Sequence, residues 1–541
     1  MFWGLITFTC LEANISGSQM QIRFNLPNKK NYSAKLRETS IFSSILLLAG
    51  CGGSSGETAN TSEINYQERP ETIFSNISVN AVEKQNWVSA LQMDEMDVVN
   101  ELLAENENVY YYHFMTGVPS YELVNPIRNV KPATPMMREA AEEIFSELNN
   151  IFGVQFILTD DPLQENVISI GTSVQPNTAG QGFFPTKDFY IGSDIFIGID
   201  HNAPEKSNFG VTNYDYEVLV HEIGHALGLK HTFMPDRENL AVLEREHDNS
   251  MWTAMSYNEV PSAFNGSFRA FDIMALSEYY GISEKFSPGN DVYVFDKNFG
   301  VVIADGGGAD RIDFRGSSST SFIDLRAGAE SHLGAKSDLI SDGNQLAIAY
   351  STIIENVEAG NAADFVVGND VANIINTYEG DDIIFPGEGA DVVCAGPGSN
   401  IIDFTESNQI SHTIVFDLDS VLDGYSEVYG FNTYANDTNL RDKINFAELD
   451  LTKSDIQIAN IFAQGMYDFS LSAEIQNNML GMSFEFDQGF ICVTSNSAST
   501  GSSQDLYFIG NESGDFAIQK FCSFIGANMD IDFWQDSSFM L

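Results

Sequence analysis

Apolar positions along this chain follow two rhythms. Up to about residue 200 they come in short runs, "VQFILTD" at 154–160, "NVISIGTS" at 166–173 and "DIFIGID" at 194–200, each bounded by polar or Gly/Pro residues. Such runs predict strands. Between residues 135 and 150, "PMMREAAEEIFSELNN" opens on Pro, is rich in strong helix formers and is followed by Gly153, which predicts a helix. Residues 80–104 also read as helical, and "NVYYYHF" from Asn108 as a strand. Helix, strands and a second helix on the stretch beginning at Tyr216 predict an α/β layer arrangement.

From residue 359 the chain can be written in nines: "AGNAADFVV", "GNDVANIIN", "TYEGDDIIF", "PGEGADVVC", "AGPGSNIID". Position six is Asp364, Asn373, Asp382, Asp391 and Asn400; position eight is Val366, Ile375, Ile384, Val393 and Ile402. An Asp or Asn followed two residues later by an apolar residue, at a period of nine, predicts a parallel β-roll whose thin core is filled by position eight. Gly-rich turns and carboxylates between successive coils suit calcium, with Asp364, Asp382 and Asp391 as candidate ligands. Asn373 and Asn400 replace aspartate and several glycines are missing, so loading is expected to be partial and best around Asp382 and Asp391.

Charge sharpens this picture. The 541 residues carry 76 acidic against 26 basic side chains, a net charge of −50. Such a surface repels nucleic acid and anionic lipid and suits hard cations. Five cysteines form no disulfide framework, although Cys492 and Cys522 are candidates for one pair. At the N-terminus, a basic stretch (Arg23 to Arg37) precedes a short apolar run from Ile41 and the sequence "LAGC" ending at Cys51. The run is too short to span a bilayer but suits a signal peptide. "LAGC" resembles a bacterial lipobox, which makes Cys51 the expected lipidated residue and the lipid the expected membrane contact.

The chemistry concentrates in "YEVLVHEIGHALGLKHTF", Tyr216 to Phe233. His221 and His225 are four apart, so on a helix they share a face and can reach one ion. Gly228 can end the helix in a left-handed turn and let the chain return with His231 as third ligand. Zinc takes three such imidazoles plus a water at a catalytic site. Glu222 is then placed to take the proton from a water whose pKa zinc lowers to about 7. Downstream lies "AMSY", Ala254 to Tyr257.

HExxHxxGxxH followed by this turn resembles the metzincins, and "HEIGHALGLKH" with "AMSY" is most similar to the serralysins. The resemblance implies a zinc endopeptidase acting on proteins or peptides outside the cell. It implies that Met255 forms an apolar floor under the histidines. It also implies that Tyr257 is a retractable fifth ligand that stabilises the oxyanion. "SDIFIGID" (193–200) is similar in position to the edge strand on which a substrate pairs, and "FDIMALSEYYG" (271–281) to the helix closing the catalytic domain. "IADGGGADRIDFRG" (303–316) resembles the segment entering the roll, with Asp305, Asp310 and Asp313 as candidate calcium ligands. "HTIVFDLD" and "LRDKINFAELDL" resemble the sheet that ends such rolls.

The expected division is therefore a signal peptide at 1–51, a tether with a possible pro-segment at 52–105, an α/β catalytic domain at 106–285, an all-β roll at 286–451 and a β-rich region at 452–541. A monomer is expected. Serralysins leave the cell by a C-terminal signal, whereas this chain carries an N-terminal address; either route puts the domains where calcium is abundant. The rival expectation is an inert, calcium-dependent binding or adhesive lipoprotein on the same fold.

Overall fold

The computed structural model describes residues 82–446 except 120–126, 128, 165, 176, 188–191, 201–206, 261–266, 406–409, 417–423 and 432–441. Beyond 446 it describes the strand segments 463–464, 488–497, 501–512, 515–525 and 539–540. The leader, Cys51 and residues 52–81 lie outside the described residues. So do His201 and most of "LRDKINFAELDL".

A mixed α/β unit is followed by a β-rich region, the order the sequence predicts. The first unit has helices α1 (Asn86–Ser89), α2 (Asp97–Glu105), α3 (Pro135–Ile151), α4 (Tyr214–Ala226) and α5 (Ala270–Tyr280). Its strands are β1 (Val109–Phe114), β2 (Lys131–Pro132), β3 (Gln155–Leu158), β4 (Val167–Ser173), β5 (Gly180–Gly182) and β6 (Ile195–Gly198). They form one sheet in the order β3-β1-β4-β6-β5, with β2 pairing β4. All pairs along that path are parallel except β5 with β6.

Helix α3 forms because Pro135 fits its first turn and Thr134 caps it, accepting from Met137 N. Met137, Ala140, Ala141, Ile144, Phe145, Leu148 and Ile151 then make one buried stripe. Phe145 stacks on Tyr112 of β1 with ring centroids 4.2 Å apart. Helices α4 and α5 are buried nearly all round, and both contribute to the same core.

Two expectations change here. The helix read over 80–104 is two helices, because the backbone of 91–93 bonds elsewhere: Leu91 O accepts from Lys230 N at 2.7 Å and Met93 N donates to Gly228 O at 2.8 Å. Trp87, Val88, Leu91 and Met96 lie in the same core as Leu219 and Met274. Secondly, the strand in "SDIFIGID" is not the sheet edge. Its apolar residues are buried between β4 and β5, and the edge is β5, "GQG", which has no apolar alternation to announce it.

In the second region two sheets share one thin core. Across the nonads strand partners are 18 residues apart: Ile374 pairs with Val392 in one sheet and Ile384 with Ile402 in the other, both parallel. One coil therefore consumes two nonads, and alternate nonads feed opposite sheets. All five position-eight side chains are fully buried in the shared core.

One sheet continues past residue 451, because 426–429 pairs in parallel with 522–525, which leads into an antiparallel meander over 488–525. In that meander Cys492 and Cys522 both stand opposite Leu506, one strand to either side. Two strand spacings are about 9.6 Å, beyond the Cα separation a disulfide spans, so these cysteines are not a pair. Among the described residues no helix is long and apolar enough to cross a membrane.

Candidate metal centre

Helix α4 carries His221, Glu222 and His225, and ends where Leu227 N bonds back to Ile223 O and Gly224 O. Gly228 takes φ +100°, and a Cβ there would lie 2.5 Å from Met96 Sδ, so both backbone and space demand glycine. The chain then turns and brings His231 back. His231 Nε2 lies 3.2 Å from His221 Nε2 and 3.1 Å from His225 Nε2. Three nitrogens around a tetrahedral zinc are about 3.3 Å apart, so this trio fits that ion.

The tautomers fit as well. His221 Nδ1 lies 2.7 Å from Ala254 O and His225 Nδ1 2.7 Å from Leu229 O; donating N–H to these carbonyls leaves each Nε2 with its lone pair. Burial pulls the His221 pKa down to about 4. Burial and the neighbouring histidines hold His225 well below its usual range. His231 is lowered too, by burial and by Lys230. Neutral imidazoles are what a metal ligand set requires.

Glu222 is buried, and burial raises its pKa to about 8, partly offset by the Gly182 N–H. Its carboxyl lies under β5: a Cβ on Gly180 would come within 2.6 Å of Glu222 Oε1, and one on Gly182 within 2.5 Å of Glu222 O. The bare "GQG" edge thus lets the sheet approach the acid. Tyr257 is exposed, with Oη 2.9 Å from His231 Nε2. Met255 is fully buried beneath α4, and its sulfur reaches there because Gly224 has no side chain.

Several supporting residues escaped the sequence. Asp272, buried, accepts from Thr253 Oγ1, Ala254 N and Arg269 N, fixing the turn whose carbonyl orients His221. Asp248 accepts from Thr232 Oγ1 at 2.5 Å and from Asn258 Nδ2 at 2.8 Å. It thereby ties the neighbour of His231 to the neighbour of Tyr257. The remaining described histidines lie apart: His113 bonds Thr159 O, His332 bonds Gly334 O, His247 faces Ser341, and His412 lies inside the roll.

A second cluster lies where the roll begins. Asp291, Asp305 and Asp310 are buried, with carboxylate oxygens within 4.8 Å of one another. Asp310 is pushed up to about 7, first by burial and then by the facing acids Asp305, Glu355 and Asp291. Asp291 was not expected; Asp313 was, but it points to Arg311 and Arg315 instead. Within the roll, Asp364 N donates to Asp382 Oδ1 and Asp382 N to Asn400 Oδ1, both across 18 residues. Asn373 N donates likewise to Asp391 Oδ1. Burial first, then Asp364 and Asp381, lifts Asp382 to about 8. Asp310 Oδ2 and Asp382 Oδ2 are buried without a hydrogen-bond partner among the described residues.

No protein-family model matches the chain. Among curated proteins it is 28% identical to a serralysin of Proteus mirabilis over 237 residues, covering 38% of this chain and 47% of that one. It is 28% identical to serralysin G of Dickeya chrysanthemi over 272 residues, 45% and 53% of the two chains. It is also 28% identical to the metallopeptidase AprA of Pseudomonas marginalis over 234 residues, 38% and 48%. This chain is a relative of the serralysins. The relationship spans about half the length of the curated relatives it matches. In this serralysin relative the histidine trio, Glu222 and Tyr257 therefore lie in a chain with protease kin.

Proposed function

We propose that the chain is a zinc-dependent endopeptidase acting outside the cell. The observation that carries this is the convergence of three neutral imidazoles, His231 Nε2 lying 3.1–3.2 Å from the Nε2 of each of the other two, beside a buried glutamate. His221, His225 and His231 would hold the ion. Zinc supplies Lewis acidity, lowering the pKa of a water to about 7 and polarising a carbonyl.

The chain's own residues do the rest. An extended peptide pairs with the open side of β5, which brings its backbone over Glu222. Beside a bound cation, whose charge favours the carboxylate, Glu222 would take the proton of the attacking water and deliver it to the departing amide nitrogen. Tyr257 Oη, 2.9 Å from His231 Nε2, swings to donate to the developing oxyanion. Met255 supports the trio from below. In this reading residues 106–285 are the catalytic domain and 286–451 the roll.

Calcium belongs to the same proposal. The unpartnered oxygens of Asp310 and Asp382 among the described residues, and the raised pKa of each, suit cation ligands. Asp305 and Asp291 would share the first site with Asp310. Asp364 and Asp391 are candidate roll ligands, although Asp391 also meets His412 at 3.2 Å. Outside the cell such sites fill; Cys51 would attach the chain to a membrane by lipid.

The test is cleavage of a denatured protein by the calcium-loaded chain. Cleavage that a zinc-selective chelator abolishes and added zinc restores supports the proposal. One zinc per chain with no cleavage of several substrates would favour an inert binding lipoprotein instead.

A further inference from the structure

Residues 86–96, ahead of the first strand, bond to the loop 228–241 at two places, 228–230 and 236–239. Met93 N donates to Gly228 O, and Leu91 O accepts from Lys230 N. Gln92 and Leu229 form a bridge between the two. Asn239 Nδ2 donates to Ser89 O at 2.9 Å and to Gln92 O at 2.8 Å. Asp94 N donates to Asp236 Oδ2, and Asp94 Oδ2 accepts from Glu238 N. Met96 packs against the one residue, Gly228, that turns the chain toward His231.

At the centre is Lys230. Its side chain is buried, and its ammonium donates to three backbone carbonyls: Ala90 O at 2.8 Å, Ala241 O at 2.7 Å and Met234 O at 3.1 Å. One acceptor comes from 140 residues upstream, and the other two from the loop that follows His231. A buried charge with three aimed acceptors fixes all of them.

We propose that residues 86–96 are a strap built into the metal centre, with Lys230 as a positioning residue that locks the strap and the loop together and so places His231. The inference rests on the zinc reading. It gives the third ligand, the one not carried by α4, a rigid support comparable to the helix beneath the other two. Cleavage that removed residues up to 96 would loosen the metal rather than release a latch.

The test uses the full calcium-loaded chain and two variants. Lys230→Met keeps the length and removes the charge. Asn239→Asp keeps the acceptor for Ala241 N but turns an oxygen toward Ser89 O and Gln92 O. Zinc affinity is measured by competition with a chromophoric chelator, and amide exchange is followed over 231–241. The expected result is zinc bound about tenfold more weakly, with faster exchange in the loop and an unchanged melting of the roll. Wild-type affinity and exchange in the folded variants overturn the proposal. Should Lys230→Met not fold, Asn239→Asp decides alone by the same two readouts. Should the wild-type chain take up no zinc, the zinc reading fails; the strap is then decided by exchange, faster in Asn239→Asp if it stands and unchanged if it falls.

Discussion

At the candidate metal centre, groups meet from far along the chain: Ala254 beside His221, Tyr257 beside His231, Ala90 beside Lys230. In the roll, position-six backbone N–H groups meet a side chain one coil away, as Asp364 N meets Asp382 and Asp382 N meets Asn400. The first arrangement is specified once, by particular residues, so a single change there removes a function. The second is specified by repetition, so a single change weakens one rung and leaves its neighbours in place. Energy in the roll is nearest-neighbour in character, whereas at the metal centre it is shared through a network.

Glu222→Gln tests this difference most sharply. Peptide hydrolysis should fall by about 10²–10⁴-fold while zinc content per chain stays at the wild-type level; a variant that loses its zinc would instead make Glu222 structural. Tyr257→Phe comes next. Removing one oxyanion donor should lower kcat about 10²-fold with KM little changed, and a shift confined to KM would assign Tyr257 to substrate binding.

The roll should answer differently. Ile384→Ala deletes a fully buried core side chain and should cost about 2–5 kcal/mol in denaturant unfolding of the roll, with zinc affinity unchanged. If zinc binding fell in step, the two regions would not be independent.

The smallest effect concerns their joint. His247 is buried there, with Nε2 facing Ser341 N at 3.5 Å. Burial lowers its pKa, against the pull of Asp342, Glu244, Glu246 and Glu330. Because the folded-state pKa lies below the unfolded value of about 6.5, the unfolded chain takes the proton more readily. Stability from the neutral ring is therefore present above about pH 6.5 and lost as pH falls below it. Melting with calcium at pH 5.5 and 7.5 should show a drop that shrinks in His247→Gln; an equal drop in both would place the sensitivity elsewhere.

The parts of this molecule that the sequence announced are those governed by local geometry. His221 and His225 are visible because four residues make a helical turn, and Val366 to Ile402 because nine residues make half a coil. The α/β order before a β-rich region followed from the same periodicities. What stayed hidden is what tertiary contact decides. Asp291 lies 14 positions before Asp305 on another segment, and nothing local marks it as a partner. Asp313 resembles its neighbours in sequence, but arginines on either side take its carboxylate. The edge strand "GQG" has no apolar residue, because its task is closeness to Glu222 rather than burial. Residues 91–93 have helical composition, yet Leu91 O and Met93 N find their backbone partners across the core, at Lys230 and Gly228.

The 18-residue step between paired strands also constrains how such a chain can change length. Removing nine residues would keep every apolar side chain facing inward, yet hand each later strand to the opposite sheet. The parallel joint between 426–429 and 522–525 would then face the wrong side of the molecule. Removing or duplicating 18 residues shortens or lengthens the stack by one coil and leaves both ends as they were. Evolution of this region should therefore proceed in units of two nonads, with odd multiples of nine disfavoured among descendants of the same gene.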